Sequence, residues 1–287
     1  VHFTGEHETT WHFSRPVFLE PHLVRLFPRQ DRSQQLESFS MRVLPEPAGF
    51  SEIEDAEGNQ ACWLWFEGQH ASLTITTCFS ARTLRANPYD YLLSPGAHQL
   101  APQFPDKEQD VLGPCLAAVA DSDKAAQLGR EIAESTGRNT LAFLNELNSW
   151  LYSNIAVVIR PDPGIQSPDL TLALGSGACR DTALVFMAAC RAVGIPARYL
   201  SCYQAGDADQ TQRDLHACAE IYLPGAGWRG YDPTLGLAVS DAHLALCASS
   251  EPALTAPVAG TFRGSDVSSR ITHRIELTTR DCVSSCA

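Results

Sequence analysis

The stretch from Gly175 to Pro196 constrains this chain more than any other. Gly175 and Gly177 punctuate a turn. From Cys179 onward come helix formers with almost no breaker. Gly194 stands where a left-handed C-cap is needed, and Pro196 cannot continue a helix. The pattern predicts a loop, a helix that opens at Cys179, and a stop. Unpaired backbone N–H groups and the macrodipole at a helix start favour negative charge, so a thiol there ionises more easily. Asp181, in the first turn, is stabilised by the same field. In this place Cys179 reads either as a nucleophile or as a small apolar core residue; the stretch alone leaves both open.

Composition narrows the class. The chain has 287 residues, 44% hydrophobic and 19% charged, which suits a globular protein of one large domain or two ordinary ones. A net charge of −12 opposes binding to nucleic acid or to an anionic membrane. No apolar run approaches the roughly 18 residues of a membrane span. Val1 opens directly into a strand-like segment, without the basic start and apolar core of a signal peptide. The ten cysteines are scattered, with no C-x-x-C, and Cys282 and Cys286 are the closest pair. A chain this long does not need a disulfide framework, so the expectation is a reducing, cytoplasmic setting. Cys62, Cys78, Cys202 and Cys218 read as packing residues. Cys179, Cys190, Cys202 and Cys218 match no zinc-ligand spacing.

Read in order, residues 1–105 form short β-prone runs between Pro and Gly, which predicts an antiparallel β-sandwich. The stretch from Asn87-Pro88 to Gly113-Pro114 is rich in Pro and poor in pattern, which predicts a linker, set at 106–121, to a second unit over 122–287. Helical patterns follow at 125–134 and 140–152, and 161–174 reads as a loop. After the Cys179 helix come strands at 197–203, 215–223 and 228–234. The class is α+β. The polar segment 204–214 reads as an exposed rim, and the strand-like run at 270–278 fits either sheet.

A thiol nucleophile needs a base, and the base needs an orienting group. Along the strand from 215, His216, Cys218, Glu220 and Tyr222 share a face. A hairpin turning about Ala226 sets Asp232 opposite Cys218 or Glu220, within diagonal reach of His216. The Cys179 helix is expected to pack across that same face, with its N-terminus at the imidazole. Each of the nine histidines is equally well read as a satisfied core residue, and Asp232-Pro233-Thr234 as a plain strand end. Glu220 reads as a structural hydrogen-bonder. It lies about 13 Å along the strand from His216, too far to share a metal with it.

Together these residues carry a resemblance. Gly177-Ala178-Cys179-Arg180-Asp181-Thr182-Ala183, Leu215-His216-Ala217-Cys218-Ala219-Glu220 and Gly227-Trp228-Arg229-Gly230-Tyr231-Asp232-Pro233-Thr234 resemble the three core motifs of the transglutaminase-like superfamily. More narrowly, they resemble its bacterial cysteine protease-like branch. Arg15-Pro16-Val17 and the run Leu23–Arg29 resemble that branch's N-terminal β-domain, and Ala256–Gly264 resembles its tail. The resemblance implies a papain-like α+β core and a Cys–His–Asp triad, here Cys179, His216 and Asp232, with no cofactor and no metal. It also implies a cysteine-dependent amide or isopeptide hydrolase working through a thioester. The partners would be a peptide, protein or isopeptide substrate, with no nucleic acid and no membrane. A transamidase, or a non-catalytic binding module on the same fold, is the alternative. The backbone N–H of Cys179 is one natural oxyanion donor, with Gln166 and Trp150 as candidates for the second. One departure is plain: the family usually has Trp two residues after the His, and here that residue is Cys218.

Overall fold

The computed structural model describes residues 1–160, 164–206 and 213–281. Six strands come first: β1 (His2–Leu19), β2 (His22–Val24), β3 (Gln34–Leu44), β4 (Gly49–Glu54), β5 (Gln60–Trp65) and β6 (Gln69–Thr83). β1, β6 and β3 are neighbours in one antiparallel sheet, and β2, β5 and β4 in another. Phe3, Leu73 and Ile75 of the first and Val24, Cys62 and Leu64 of the second bury one common core, the mark of a sandwich. The apparent breaks before Pro16 are no breaks. β1 runs through, and its register against β6 shifts between His12 and Val17, an irregularity that accommodates a residue with no N–H.

Then come α1 (Asp106–Leu116), α2 (Asp123–Ser135) and α3 (Thr140–Asn154). The short pair β7 (Ala156–Val157) and β8 (Ser176–Gly177) flanks α4 (Pro168–Leu174), and α5 (Cys179–Ala192) follows. Asn139 caps α3 by accepting the Ala142 N–H at 2.9 Å, and Ser167 caps α4 with Pro168 in its first turn. α2 crosses α5 at Gly129, where a Cβ would stand 2.5 Å from the Ala189 carbonyl oxygen. α5 is the centre of this half: Val185, Phe186, Met187 and Ala189 are completely buried. It lies on an antiparallel sheet of β9 (Ala197–Gln204), β10 (His216–Leu223), β11 (Gly227–Asp232), β12 (Leu237–Ala238) and β13 (His243–Ser249), in the order β12-β11-β10-β9-β13.

The chain then returns. β14 (Val258–Ala259) pairs with β2, while β15 (Phe262–Arg263) and β16 (Ser269–Arg280) pair with β1, from Phe18↔Arg263 to His2↔Arg280. The expected division at 105 and 121 is therefore redrawn. Residues 106–116 form a helix rather than a linker, and residues 258–280 belong to the sandwich sheets rather than to the catalytic unit. The physical reason is the free edge of β1, whose unpaired backbone groups β16 covers. The two units also share a core. Tyr203, Leu244 and Leu246 of the sheet under α5 pack with Phe3 and Phe79, and the Phe79 and Tyr203 rings stack at 4.9 Å. Two side-chain amides extend the ladder: Gln34 bonds both the N–H and the C=O of Ala245, and Asn59 both those of Ala248, at 2.8–2.9 Å.

Candidate active site

The start of α5 is built around a carboxylate. Asp181 is fully buried and accepts three donors: the Ala178 N–H (2.8 Å), the Gln166 N–H (2.7 Å) and Arg160 Nε (2.8 Å). Arg180 donates to the Gly164 and Arg160 carbonyls at 2.7 and 3.0 Å. These bonds clamp Arg160, Gly164 and Gln166 to the first turn of the helix. Cys179, partly exposed, sits at that turn, where its own N–H has no intrahelical acceptor.

His216, the base the sequence predicts, sits at the start of β10. Ala219 faces Tyr231 across the hairpin, so the next pair outward is Cys218 and Asp232, one of the two placements the sequence predicts. His216 Nε2 donates to Asp232 Oδ2 at 2.7 Å. That leaves the Nδ1 edge of the ring for the thiol. Burial alone would lower the imidazole's pKa, but the Asp232 bond and a hydrogen bond with Cys179 override it and hold it well above 6.5. Asp232 is inaccessible to solvent. Burial would raise its pKa, yet the donors His216, His243 and Thr234 drive it far below 3.8. The site therefore presents a buried carboxylate, an imidazole and a thiol in sequence.

The helix does not cover the expected face. Ala217, Ala219 and Ile221 form the face of β10 that packs on α5, and Phe186 of α5 stacks on Tyr231 at 5.4 Å. By alternation His216, Cys218 and Glu220 point to the opposite face, where Cys218 packs with Leu200, Cys202 and Ala245. Only the N-terminus of α5 reaches the imidazole, at the end of the strand. Glu220 is structural, as the sequence suggests. It takes Arg29 Nη2 at 2.7 Å and Arg198 Nε at 2.8 Å, and so ties the β9–β13 sheet to the sandwich.

Two functional contacts escaped the sequence. His243 Nε2 is 3.1 Å from Asp232 Oδ2, and its ring is buried. Nothing local sets it apart from eight other histidines. Thr234 donates its N–H (3.0 Å) and its hydroxyl (2.6 Å) to Asp232 Oδ1. Here the Asp-x-Thr spacing carried a signal, that of a side chain folding back on its own turn. Gln166 is tied to the first turn of α5 through its backbone, and Trp150 packs half-buried against the helical core. Most of the predicted rim, residues 207–212, lies outside the described residues, as do Cys282 and Cys286.

Comparison with known proteins agrees with this fold. Residues 126–233 match the transglutaminase-like superfamily core, and residues 5–82 match the bacterial transglutaminase-like N-terminal region. An uncharacterized protein of Mycobacterium leprae is 23% identical over 264 residues, covering 90% of this chain and 92% of that protein. The crystal structure of a "Putative Cysteine Protease" from Cytophaga hutchinsonii superposes with a TM-score of 0.72 at 19% identity, covering 98% of this chain and 91% of the other. That likeness establishes the fold. The periplasmic domain of TgpA from Pseudomonas aeruginosa aligns more loosely, with a TM-score of 0.40 at 15% identity over 79% of this chain and 87% of that one. The two family matches fall on the two units that the strands and helices define, and the chain belongs to the transglutaminase-like superfamily, with a bacterial-type N-terminal region ahead of its core.

Proposed function

We propose that the chain is a cysteine-dependent hydrolase of amide or isopeptide bonds, with Cys179 as nucleophile, His216 as acid and base, and Asp232 as orienting carboxylate. One observation carries the reading: His216 is held by a fully buried carboxylate at 2.7 Å while its other edge meets a thiol at a helix N-terminus. The Cys179 thiol gives its proton to His216 Nδ1, the resulting thiolate attacks the carbonyl carbon, and the Cys179 N–H receives the developing oxyanion. As the C–N bond breaks, His216 gives its proton to the leaving amine and a thioester remains on Cys179. Water, losing a proton to the now neutral imidazole, releases the acid. Asp232 holds the ring with Nδ1 toward sulfur and stabilises the imidazolium.

The test is mass spectrometry of a peptide library incubated with the wild type and with Cys179→Ser, with and without a primary amine. Cleaved or deamidated peptides that need Cys179 support the reading. Amine adducts outnumbering hydrolysed products would make the chain a transamidase. Alkylation of Cys179 by iodoacetamide no faster than that of the other cysteines would leave only a binding module.

A further inference from the structure

Behind the His216–Asp232 pair lies a group of side chains that this chemistry uses only in part. One ligand-capable atom from each of His216, Cys218, Asp232 and His243 lies within 4.8 Å of the others. Two imidazole nitrogens, a thiol sulfur and a carboxylate oxygen are the donor types of tetrahedral zinc sites. Zinc bonds of about 2.0–2.3 Å require neighbouring donors to stand roughly 3.3–3.8 Å apart. The four atoms thus stand close to such a coordination sphere, with adjustments of about an ångström needed to reach it. Asp232 and Cys218 are inaccessible to solvent and His243 nearly so, which provides a dry shell. A second sulfur, Cys202 Sγ, lies 3.7 Å from Cys218 Sγ. An independent observation concerns His243. Its Nδ1 is buried and has no hydrogen-bond partner among the described residues. Shifting the ring proton from Nε2 to Nδ1 therefore breaks no existing Nδ1 contact, and that tautomer is the one that frees Nε2 for a metal.

We propose that this chain binds a soft divalent cation, zinc in the first instance, through His216 Nε2, His243 Nε2, an Asp232 oxygen and the Cys218 sulfur, and that the ion silences Cys179. The ion replaces the protons between the carboxylate and the two rings. Cys218 releases its proton to solvent, and any second proton on His216 leaves with it. Thiolate and carboxylate then balance the two charges of the ion, so the buried complex is neutral. With Nε2 of His216 occupied, the ring's remaining proton sits on Nδ1, the edge facing Cys179, and the imidazole can no longer take a proton from the thiol. The silencing rests on the Cys179–His216 pairing of the proposed function; the binding does not. Calcium and magnesium are disfavoured by the nitrogen and sulfur donors.

The experiment uses the full chain and two probes. Zinc is titrated calorimetrically, and cobalt(II) reports a thiolate ligand by its charge-transfer absorption. The wild type should take one ion with a cobalt–thiolate band. Cys218→Ala and His243→Gln should each weaken binding by at least the roughly tenfold to hundredfold that even outer-shell losses cost. Cys218→Ser, closer in volume, replaces the alanine variant if that one does not fold. Cys179→Ser should bind as the wild type does. Zinc should slow iodoacetamide alkylation of Cys179 at least about tenfold in the wild type and not in Cys218→Ala, a readout that requires no turnover. Binding lost in Cys179→Ser but kept in Cys218→Ala would overturn the proposal in favour of a simple Cys179–His216 chelate. Absence of a thiolate band, or unchanged alkylation in the zinc-loaded wild type, would also overturn it. Zinc-sensitive alkylation in a protein that hydrolyses nothing would uphold the metal site and sink the hydrolase reading.

Discussion

Glu220→Ala should cost the fold about 3–5 kcal/mol, because it strands two buried guanidinium groups. The carboxylate receives Arg29 through Nη2 at 2.7 Å and Nη1 at 3.2 Å, and Arg198 through Nε at 2.8 Å and Nη2 at 2.7 Å. The three side chains are only 5%, 17% and 14% exposed, so water replaces little of what is lost. A second route gives a similar figure. Burial would raise the pKa of Glu220, but the two arginines bring it from 4.5 down to about 2. At about 1.4 kcal/mol per unit, ionisation of this group contributes roughly 3 kcal/mol at neutral pH. Since the folded value lies below the unfolded one, that contribution is complete above about 4.5 and is lost as pH falls toward 2. Urea melts of the wild type, Glu220→Gln and Glu220→Ala at pH 7 and at pH 3 provide the assay. The gap between the wild type and Glu220→Gln, which keeps the volume and drops the charge, should narrow by about 2 kcal/mol at the lower pH. A loss below about 1 kcal/mol for Glu220→Ala, the scale of an exposed pair, would refute the reasoning. So would a gap that is flat with pH.

Asp232→Asn should keep the far-ultraviolet circular dichroism and slow turnover by roughly 10²–10⁴, the share that positioned acid–base chemistry supplies. In the same variant the His216 ring should titrate lower than in the wild type, since burial then acts unopposed by the carboxylate; the imidazole proton signals in NMR would follow it. The imidazolium's stabilising contribution in the wild type is present below its ordinary 6.5 and lost as pH rises through the higher folded value, and a pH-independent difference between the two proteins would contradict this. Asp181→Ala leaves Ala178, Gln166 and Arg160 without their acceptor, and should cost about 3–5 kcal/mol in a urea melt while slowing Cys179 alkylation. Cys218→Trp restores the residue the family leads one to expect, yet the site is closed by Leu200, Cys202 and Ala245, so it should destabilise by at least the roughly 1–3 kcal/mol of overpacking.

Local chemistry was legible in the sequence; long-range partnership was not. Glycine and proline punctuation located α5 with Cys179 at its start, and strand alternation with the hairpin turn brought Asp232 to His216. Both depend on residues within one or two elements. The face that α5 covers was read in reverse, because period-two alternation says which residues share a side but not which side meets a helix. α1 was hidden by its poor pattern and by Pro114 in its last turn. Alternation marks β16 as a strand, but its partner begins the chain. Arg29 meets Glu220 across 191 residues, and no local pattern links them. His243 was invisible for the same reason: its meaning comes wholly from a carboxylate on another strand.

The pairing of β16 with β1 has a topological consequence. The sandwich is a host assembled from both ends of the described chain, and everything from Leu84 to Pro257 is a guest inserted between its halves. A protease nick within the guest severs the covalent chain but leaves the host strands hydrogen-bonded from His2↔Arg280 to Phe13↔Ser269, so the fragments should travel as one particle. Loss of residues 258–280 does the opposite. It opens an edge on β1, and during synthesis that edge remains open until the ribosome has made the inserted segment and the return strand behind it.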